Sequence, residues 1–250
     1  MNYITTVVDD STAVADAIAQ LIRDKALSKS RQDLPFNLAV SGGSTPKTLF
    51  QVLAQDEYRN TIPWQSVRLF WVDERCVPPT DAESNFGMTY DALLQYAFIP
   101  SSSIFRMKGE DVPEDEARRY ADQLHKLLPV KDGVPVFDLI LLGIGDDGHT
   151  ASIFPDQMHL LHTGKDVAIA THPVSGQKRI TLTGKVINAT EQLIFMITGK
   201  GKAEIVATIV GQQEGAKKFP ASYVHDKTGN TEFYLDKEAA AYLPAISIVS

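Results

Sequence analysis

Residues 138–155 read Asp138-Leu-Ile-Leu-Leu-Gly-Ile-Gly-Asp-Asp-Gly-His-Thr-Ala-Ser-Ile-Phe-Pro155, and this stretch decides how the chain is interpreted. Its apolar start predicts a buried strand over residues 136–143, followed by a turn that presents Asp146, Asp147 and His149. In open α/β sheets, ligands bind in the crevice outside the carboxyl ends of the strands. Histidine can exchange a proton near neutral pH. A plain polar turn is the alternative, and two further loops of similar design count against it.

The composition is that of an ordinary, acidic globular protein. The 250 residues include 24 Lys and Arg against 31 Asp and Glu, which gives a net charge of −7. This balance argues against a nucleic-acid partner, because phosphate backbones are bound by clustered cations. A small anionic ligand stays compatible with it, since a few cations in one cleft can dominate the local field. We interpret residues 1–250 as one domain.

Nothing in the sequence indicates a membrane segment. No apolar run approaches the ~20 residues that a membrane-spanning helix needs, and the first residues lack the pattern of a signal peptide. The single cysteine, Cys76, has no internal disulfide partner, which fits a reducing compartment. We therefore expect a cytoplasmic protein without membrane contact. The sequence does not define its oligomeric state.

Helical and strand patterns alternate along the chain. Helices are predicted at 11–28 with Ser11 or Thr12 as the cap, from 46 with Thr45 as the cap, at about 114–128 and at about 200–211. Strands are predicted at 36–41, 67–72, 136–143, 167–171, 178–182, 192–197 and near 232–235, with a polar loop over 73–85. This order predicts an α/β fold with a mostly parallel, Rossmann-like sheet and helices on both faces. Residues from about 150 to 190 leave room for a small antiparallel subdomain.

The stretch Val40-Ser-Gly-Gly-Ser-Thr-Pro-Lys47 has the parts of an anion-binding loop. Glycines let the backbone approach a ligand, and the free amides of a helix N-terminus point toward negative charge. The spacing differs from that of the Gly-x-x-x-x-Gly-Lys-Ser/Thr phosphate loop. A tight turn without a ligand is the alternative interpretation. The candidate binding residues here are Ser41, Gly42, Gly43, Ser44 and Thr45.

A second polar loop follows the next predicted strand and begins Trp71-Val-Asp-Glu-Arg75. Arg75 can bind a phosphate through two parallel hydrogen bonds. Asp73 or Glu74 could orient that arginine or accept hydrogen bonds from sugar hydroxyls. A solvated loop with a local ion pair is the alternative, but this loop is expected at the same edge of the sheet as the first.

The turn after residue 143 supplies candidates for proton transfer. A neutral His149 can act as a general base, and Asp147 can fix its tautomer or hold a substrate hydroxyl. Asp146 is expected to cap or solvate the turn.

Further cations and histidines occur in the second half of the chain. Arg179 and Lys202 are candidates for anion binding, whereas we expect Lys178 and Lys200 to be surface charges. The histidines of the 156–162 segment have helical spacing but no further ligands, so they are weak evidence for a metal site.

Five motifs, in order, resemble those of the 6-phosphogluconolactonases. They are Ser41-Gly-Gly-Ser-Thr-Pro46, Trp71-Val-Asp-Glu-Arg75 with Ser84-Asn85 downstream, Gly143-Ile-Gly-Asp-Asp-Gly-His-Thr-Ala-Ser-Ile-Phe-Pro155, Arg179-Ile-Thr-Leu-Thr183 and Gly199-Lys-Gly-Lys-Ala203. The resemblance covers about residues 38–205. It implies an α/β sheet fold shared with glucosamine-6-phosphate deaminases. It also implies hydrolysis of 6-phosphoglucono-δ-lactone in the pentose phosphate pathway, without a metal or cofactor.

The resemblance implies a role for each candidate residue. His149 would activate the attacking water, and Asp147 would support it or bind a substrate hydroxyl. The phosphate of the sugar lactone would lie on the loop 42–45 with help from Lys202. The same anionic site would be lined by two arginines, Arg75 and Arg179, without an indication of which one touches the phosphate.

Two alternatives come from different classes of protein. In deaminases of the same fold, the motif that corresponds to Asp73-Glu-Arg75 resembles Asp-Glu-Tyr. The motif that corresponds to Ile153-Phe-Pro155 resembles Asn-Glu-Pro. Phe154 thus replaces the glutamate that handles protons there, and an apolar ring cannot do so. A non-catalytic sensor of sugar phosphates is the other alternative, and the intact pair of His149 and Asp147 counts against it.

Overall fold

Strands and helices alternate along residues 2–244, the part of the chain that the computed structural model describes. The strands are β1 (Asn2–Val8), β2 (Phe36–Val40), β3 (Val67–Trp71), β4 (Asp73–Arg75), β5 (Ile104–Phe105), β6 (Val130–Lys131), β7 (Val134–Pro135), β8 (Leu139–Leu142), β9 (Val167–Thr171), β10 (Lys178–Leu182), β11 (Leu193–Ile197) and β12 (Asn230–Asp236). The α-helices are α1 (Ser11–Ser30), α2 (Ser44–Leu53), α3 (Asp56–Arg59), α4 (Asn85–Thr89), α5 (Pro113–Leu127), α6 (Gly184–Ile187) and α7 (Ala203–Val210). A π-helical turn spans Tyr90–Leu94, and 3-10 turns span Trp64–Ser66, Ser101–Ser103, Pro155–Leu161, Lys200–Lys202, Glu214–Lys218 and Pro220–Tyr223.

The main sheet within residues 2–244 is parallel throughout and has the strand order β1-β12-β11-β8-β2-β3-β5. From β2 the chain moves through β3 to β5 on one side, and from β8 it moves through β11 to β12 on the other. The strand order therefore reverses between β2 and β8. A crevice for ligands opens at such a switch point, outside the carboxyl ends of the strands.

The central strands are buried on both faces. In β8, Leu139 and Leu141 pack into one hydrophobic cluster with α1 and α2, whereas Ile140 and Leu142 pack into another with α5 and α7. Successive side chains of a strand point to opposite faces, so a strand that is apolar at every position needs helices on both sides. The predicted mostly parallel α/β fold is confirmed.

A smaller antiparallel sheet within the described residues has the order β4-β10-β9. The predicted antiparallel excursion is confirmed, but its edge strand β4 comes from outside the 150–190 region. The expectation that residues 73–85 form only a polar loop is therefore wrong at Asp73–Arg75. Pairing with β10 gives this charged segment hydrogen-bond partners for its backbone, and Asp73 and Glu74 are buried there.

The capping residues of two helices differ from the prediction, although α1 begins at Ser11 as predicted. Asp10, and neither Ser11 nor Thr12, caps α1: its Oδ1 accepts a hydrogen bond from the Ala13 amide at 2.9 Å. Helix α2 begins at Ser44 after Gly43, so Thr45 lies inside its first turn and is not the cap.

Other boundaries also shift. The prediction omits β1, an edge strand of mostly partly exposed residues that pairs with β12 and has no buried apolar run. The helix predicted at about 200–211 is divided into the 3-10 turn Lys200–Lys202 and α7. None of the helices within residues 2–244 has the length and apolar character that crossing a bilayer requires.

The cap of α1 makes a prediction for stability. Asp10→Ala should lower the free energy of unfolding by about 0.5–2 kcal/mol, because it removes the acceptor of an otherwise unpaired helical amide. Ser11→Ala is the matched control and should stay within about 0.5 kcal/mol of the wild type. Urea denaturation of both variants measures the difference. Equal losses, or a larger loss for Ser11→Ala, would assign the cap to the wrong residue.

Candidate active site

A cleft of about 210 Å³ lies at the switch between β2 and β8, where the carboxyl ends of the central strands meet. The structure brings ten of the eleven candidate residues to its wall: Ser41, Gly42, Gly43, Ser44, Thr45, Asp73, Arg75, His149, Arg179 and Lys202. The remaining candidate, Asp147, contacts His149 directly. Asn85, Ala151 and Thr198 also line the cleft, although sequence reasoning gave them no role.

The loop after β2 forms one wall of the cleft. Ser41 is buried, and its hydroxyl donates to the Leu141 carbonyl at 2.9 Å, which fastens the ends of β2 and β8 together. Gly43 has a φ of 111°, a conformation that favours glycine. No side chain of the described residues caps α2. The Ser44 and Thr45 amides have no intrahelical acceptor, so they can donate to an anion.

The side chain of Asn85 lies so close to the backbone of Gly42 that only a glycine fits at this position. A β-carbon at this position would lie 1.7 Å from Oδ1 of Asn85. The backbone of the loop and the Asn85 side chain therefore fit together only because residue 42 has no side chain.

The opposite wall carries two arginines side by side. The register of β4 and β10 places Arg179 directly opposite Arg75. Arg179 is 8% exposed, and within residues 2–244 its guanidinium makes no hydrogen bond and no ion pair. Burial, and then the neighbouring charge of Arg75, lower the pKa of Arg179.

Arg75 is only partly satisfied. Its Nη1 donates to the Glu83 carbonyl, but its Nε is buried without a partner among the described residues. Buried cations are normally paired, because removing a charge from water is costly. Two adjacent guanidinium groups with free donors therefore indicate an anionic ligand.

The turn after β8 holds His149 against Asp147. The Nδ1 of His149 lies 2.5 Å from Oδ1 of Asp147, and the same oxygen accepts the His149 amide at 3.1 Å. Burial alone would raise the pKa of Asp147, but the charge of His149 and its hydrogen bonds outweigh burial, so this pKa lies below its usual value. Because Nδ1 is engaged, Nε2 is the ring nitrogen that can exchange a proton with a ligand.

Asp73 is held in place by two side chains that sequence reasoning missed. The hydroxyl of Ser152 donates to its Oδ2 at 2.6 Å, and Nδ2 of Asn85 donates to its Oδ1 at 3.2 Å. Both residues lie in motifs that the sequence shows, at 84–85 and 143–155, but only the tertiary structure brings them to Asp73. Asp73 is thereby a fixed, buried acceptor that lines the cleft.

Glu74 has a structural role and does not line the cleft. Its buried carboxylate accepts four hydrogen bonds, from Ser84 Oγ and from the amides of Arg75, Asn85 and Phe86. Burial raises the pKa of Glu74 in spite of these bonds. Of the two acids that the sequence offers for orienting Arg75 or meeting a sugar hydroxyl, Asp73 and not Glu74 therefore lines the cleft.

Lys202 lies at the mouth of the cleft and forms an ion pair with Asp146. Asp146 is thus an exposed residue of the turn and also the ion-pair partner of Lys202.

Two other lysines lie on the surface, as predicted. Lys178 is exposed and pairs with Glu114, and Lys200 is also exposed. Within residues 2–244, no three His, Cys, Asp or Glu side chains are grouped so that they could hold a metal ion.

Comparison with known proteins identifies the family. The family model described as glucosamine-6-phosphate isomerases/6-phosphogluconolactonase matches residues 9–233. The chain belongs to this family. A 6-phosphogluconolactonase of Aggregatibacter actinomycetemcomitans is 40% identical over 243 residues, which cover 97% of this chain and 100% of the relative. The human 6-phosphogluconolactonase is 37% identical over 247 residues, or 95% of this chain and 93% of that protein.

A solved structure of the family has the same fold. The 6-phosphogluconolactonase of Trypanosoma brucei superposes with a TM-score of 0.82 at 29% identity and covers 97% of this chain and 99% of its own. Membership of this family is therefore consistent with the sequence motifs and with the fold observed here.

The contact between Gly42 and Asn85 makes a second prediction. Gly42→Ala should lower the free energy of unfolding by about 1–3 kcal/mol, because the added methyl overpacks a filled site. Gly164→Ala is the control, since a β-carbon there meets no atom within 4 Å. Denaturation by urea should show a loss only for Gly42→Ala. If both variants kept wild-type stability, the close fit of the loop against Asn85 would be contradicted.

Proposed function

We propose that this protein hydrolyses 6-phosphoglucono-δ-lactone to 6-phosphogluconate, a step of the oxidative pentose phosphate pathway. The observation that carries the proposal is the buried, unpaired guanidinium of Arg179 beside Arg75, in the same cleft as the pair of His149 and Asp147. The first pair supplies a site for a phosphate, and the second supplies a base. The names of full-length relatives support the choice of substrate.

His149 and Asp147 form the proton-transfer pair in this mechanism. With Nδ1–H donating to Asp147, Nε2 of His149 removes a proton from a water that attacks the carbonyl carbon of the lactone. The bond between that carbon and the ring oxygen then breaks, and the ring oxygen takes the proton back from Nε2. The product is a carboxylic acid with a free hydroxyl, and the acid then releases its proton to solvent and becomes a carboxylate. General-base assistance of this kind contributes about 10²–10⁴-fold in rate.

The phosphate site is assigned to the cationic wall and the helix N-terminus. Arg75, Arg179 and Lys202 supply positive charge, and the amides of Ser44 and Thr45 supply donors. Asp73 is an acceptor for a sugar hydroxyl. Binding the remote phosphate positions the lactone ring against His149, which lowers the entropic part of the barrier.

The deaminase alternative is disfavoured by Phe154. This side chain is fully buried, and its ring centroid lies 4.8 Å from that of His149. A deaminase needs a proton carrier beside its histidine, and a phenyl ring cannot supply one. The preserved proton-transfer pair likewise disfavours a non-catalytic sensor. The same proposal includes a cytoplasmic location and a small phosphorylated sugar lactone as the partner, without nucleic acid or membrane.

One paired assay tests the reaction. Lactone hydrolysis is measured with 6-phosphogluconolactone generated in place and the spontaneous reaction subtracted, in parallel with ammonia release from glucosamine 6-phosphate. Each assay is run with and without chelator. We expect fast lactone loss that chelator does not affect, and no ammonia. Ammonia release would contradict the proposal, and inactivity in both assays together with tight binding of 6-phosphogluconate would support the sensor.

The base assignment predicts a selective loss of turnover. His149→Gln should lower kcat by about 10²–10⁴-fold, because no group remains to take the proton from water. Affinity for 6-phosphogluconate, measured by calorimetry, should change little. His162→Gln is the control, since this histidine is exposed and outside the cleft. Unchanged kcat in His149→Gln would remove this residue from the base role.

A further inference from the structure

The ring of Phe154 is the centre of a cluster formed by three other side chains. The imidazole of His149 lies 4.8 Å from it between centroids, and Cζ of Arg179 lies 5.5 Å from the centroid. The imidazole of His172 meets it edge-on at 5.3 Å and 80°. These residues come from the turn after β8, from β10 and from the hairpin between β9 and β10, so one buried ring joins three parts of the chain.

Arg179 contacts this ring directly but makes no direct polar contact with the described residues. Its guanidinium has no hydrogen bond and no ion pair within residues 2–244, so the ring of Phe154 and the more distant carboxylates of Asp73, Glu83 and Asp147 attract the head group before a ligand binds. A cation over an aromatic face is favourable, and more so away from water. Removing the ring frees the guanidinium to adopt other rotamers.

His149 uses the same ring for a different purpose. Its bond with Asp147 fixes Nδ1, but a single hydrogen bond leaves the imidazole free to tilt about that contact. The ring of Phe154 limits the tilt, because the two rings touch. The direction of Nε2 therefore depends on Phe154.

We propose that Phe154 is a positioning residue that fixes the imidazole of His149 and the guanidinium of Arg179 relative to one another, with His172 bracing it from the β9–β10 hairpin. The proposal rests on the proposed function, because it needs a reaction in which both groups take part. Phe154 is fully buried and does not line the cleft, so it acts through its neighbours.

His172 is suited to brace an apolar ring because it is held in a neutral form. Its Nδ1 accepts hydrogen bonds from the amides of Val174 at 3.3 Å and Ser175 at 3.1 Å, so the ring proton sits on Nε2. Burial, and then the charges of Arg179 and His149, keep the pKa of His172 below its usual value. A charged ring would add a third cation beside Arg75 and Arg179.

The test compares the same substitution at two buried phenylalanines. Phe154→Leu keeps an apolar side chain but removes the flat face that supports both polar groups. Phe137→Leu is the matched control, because Phe137 is also fully buried in the same hydrophobic cluster and lies outside the cleft. Lactone hydrolysis and 6-phosphogluconate affinity are measured for the folded fraction of each variant, and Tm is measured by calorimetry.

We expect both variants to lose a few degrees of Tm. Only Phe154→Leu should lose kcat, by about tenfold to a hundredfold, since small displacements of catalytic groups have effects of this size. It should also bind 6-phosphogluconate more weakly, because Arg179 is no longer held. Equal kcat in the two variants, with an active wild type, would overturn the inference. An inactive wild type would instead refute the proposed function. In that case, weaker 6-phosphogluconate binding in Phe154→Leu but not in Phe137→Leu would still support the positioning of Arg179.

Two variants of His172 separate its ring from its acceptor. His172→Asn keeps an acceptor for the Val174 and Ser175 amides but removes the ring, whereas His172→Phe keeps a ring and removes the acceptor. Water can replace the acceptor, because Val174 and Ser175 are exposed. We expect kcat to fall severalfold in His172→Asn and to stay close to the wild-type value in His172→Phe. The reverse order would show that His172 acts only on the hairpin turn.

Discussion

The antiparallel pairing of β4 with β10 places Arg75 opposite Arg179, and the chemistry of the cleft depends on this register. Like charges directly across a sheet are destabilising, and a buried cation without a partner adds a desolvation penalty. Such an arrangement is unfavourable for the fold alone. It becomes favourable when an anionic ligand supplies the missing negative charge, and the proposed function gives this role to the phosphate of the substrate.

The main sheet brings the remaining groups to this pair. Because the strand order reverses between β2 and β8, the loops that follow these strands diverge and leave a crevice between them. The first loop contributes the amides at the start of α2, and the second contributes His149 and Asp147. In the proposed function, groups on a helix and on the small sheet therefore bind the phosphate, whereas groups on a tight turn transfer the proton.

Much of this arrangement follows from local sequence. The strand at 139–142 and the turn after it are visible as an apolar run followed by glycines and acids, because both features are encoded by neighbouring residues. The strand at 73–75 is not visible, because Asp-Glu-Arg is a typical loop composition and its pairing with β10 is long-range.

The same distinction explains the site residues. Ser152 and Asn85 meet Asp73 only in the folded chain, and Glu74 turns to the backbone of the 84–86 segment through contacts that spacing does not encode. The wrong prediction for the cap of α1 has a local cause. Asp10, Ser11 and Thr12 are all residue types that can cap a helix, and only the backbone geometry selects Asp10.

The central claim is that Arg179 is kept unpaired for an anionic ligand, and Arg179→Met tests it most directly. Tm is measured with and without saturating 6-phosphogluconate, with gluconate as the ligand control. Arg68→Met is the protein control, because Arg68 donates to the Leu127 carbonyl at 2.7 Å and has a structural partner to lose. The account predicts that Arg179→Met is at least as stable as the wild type without ligand and loses most of the stabilisation by 6-phosphogluconate. A variant that is clearly less stable on its own, yet is stabilised by 6-phosphogluconate as much as the wild type, would contradict it.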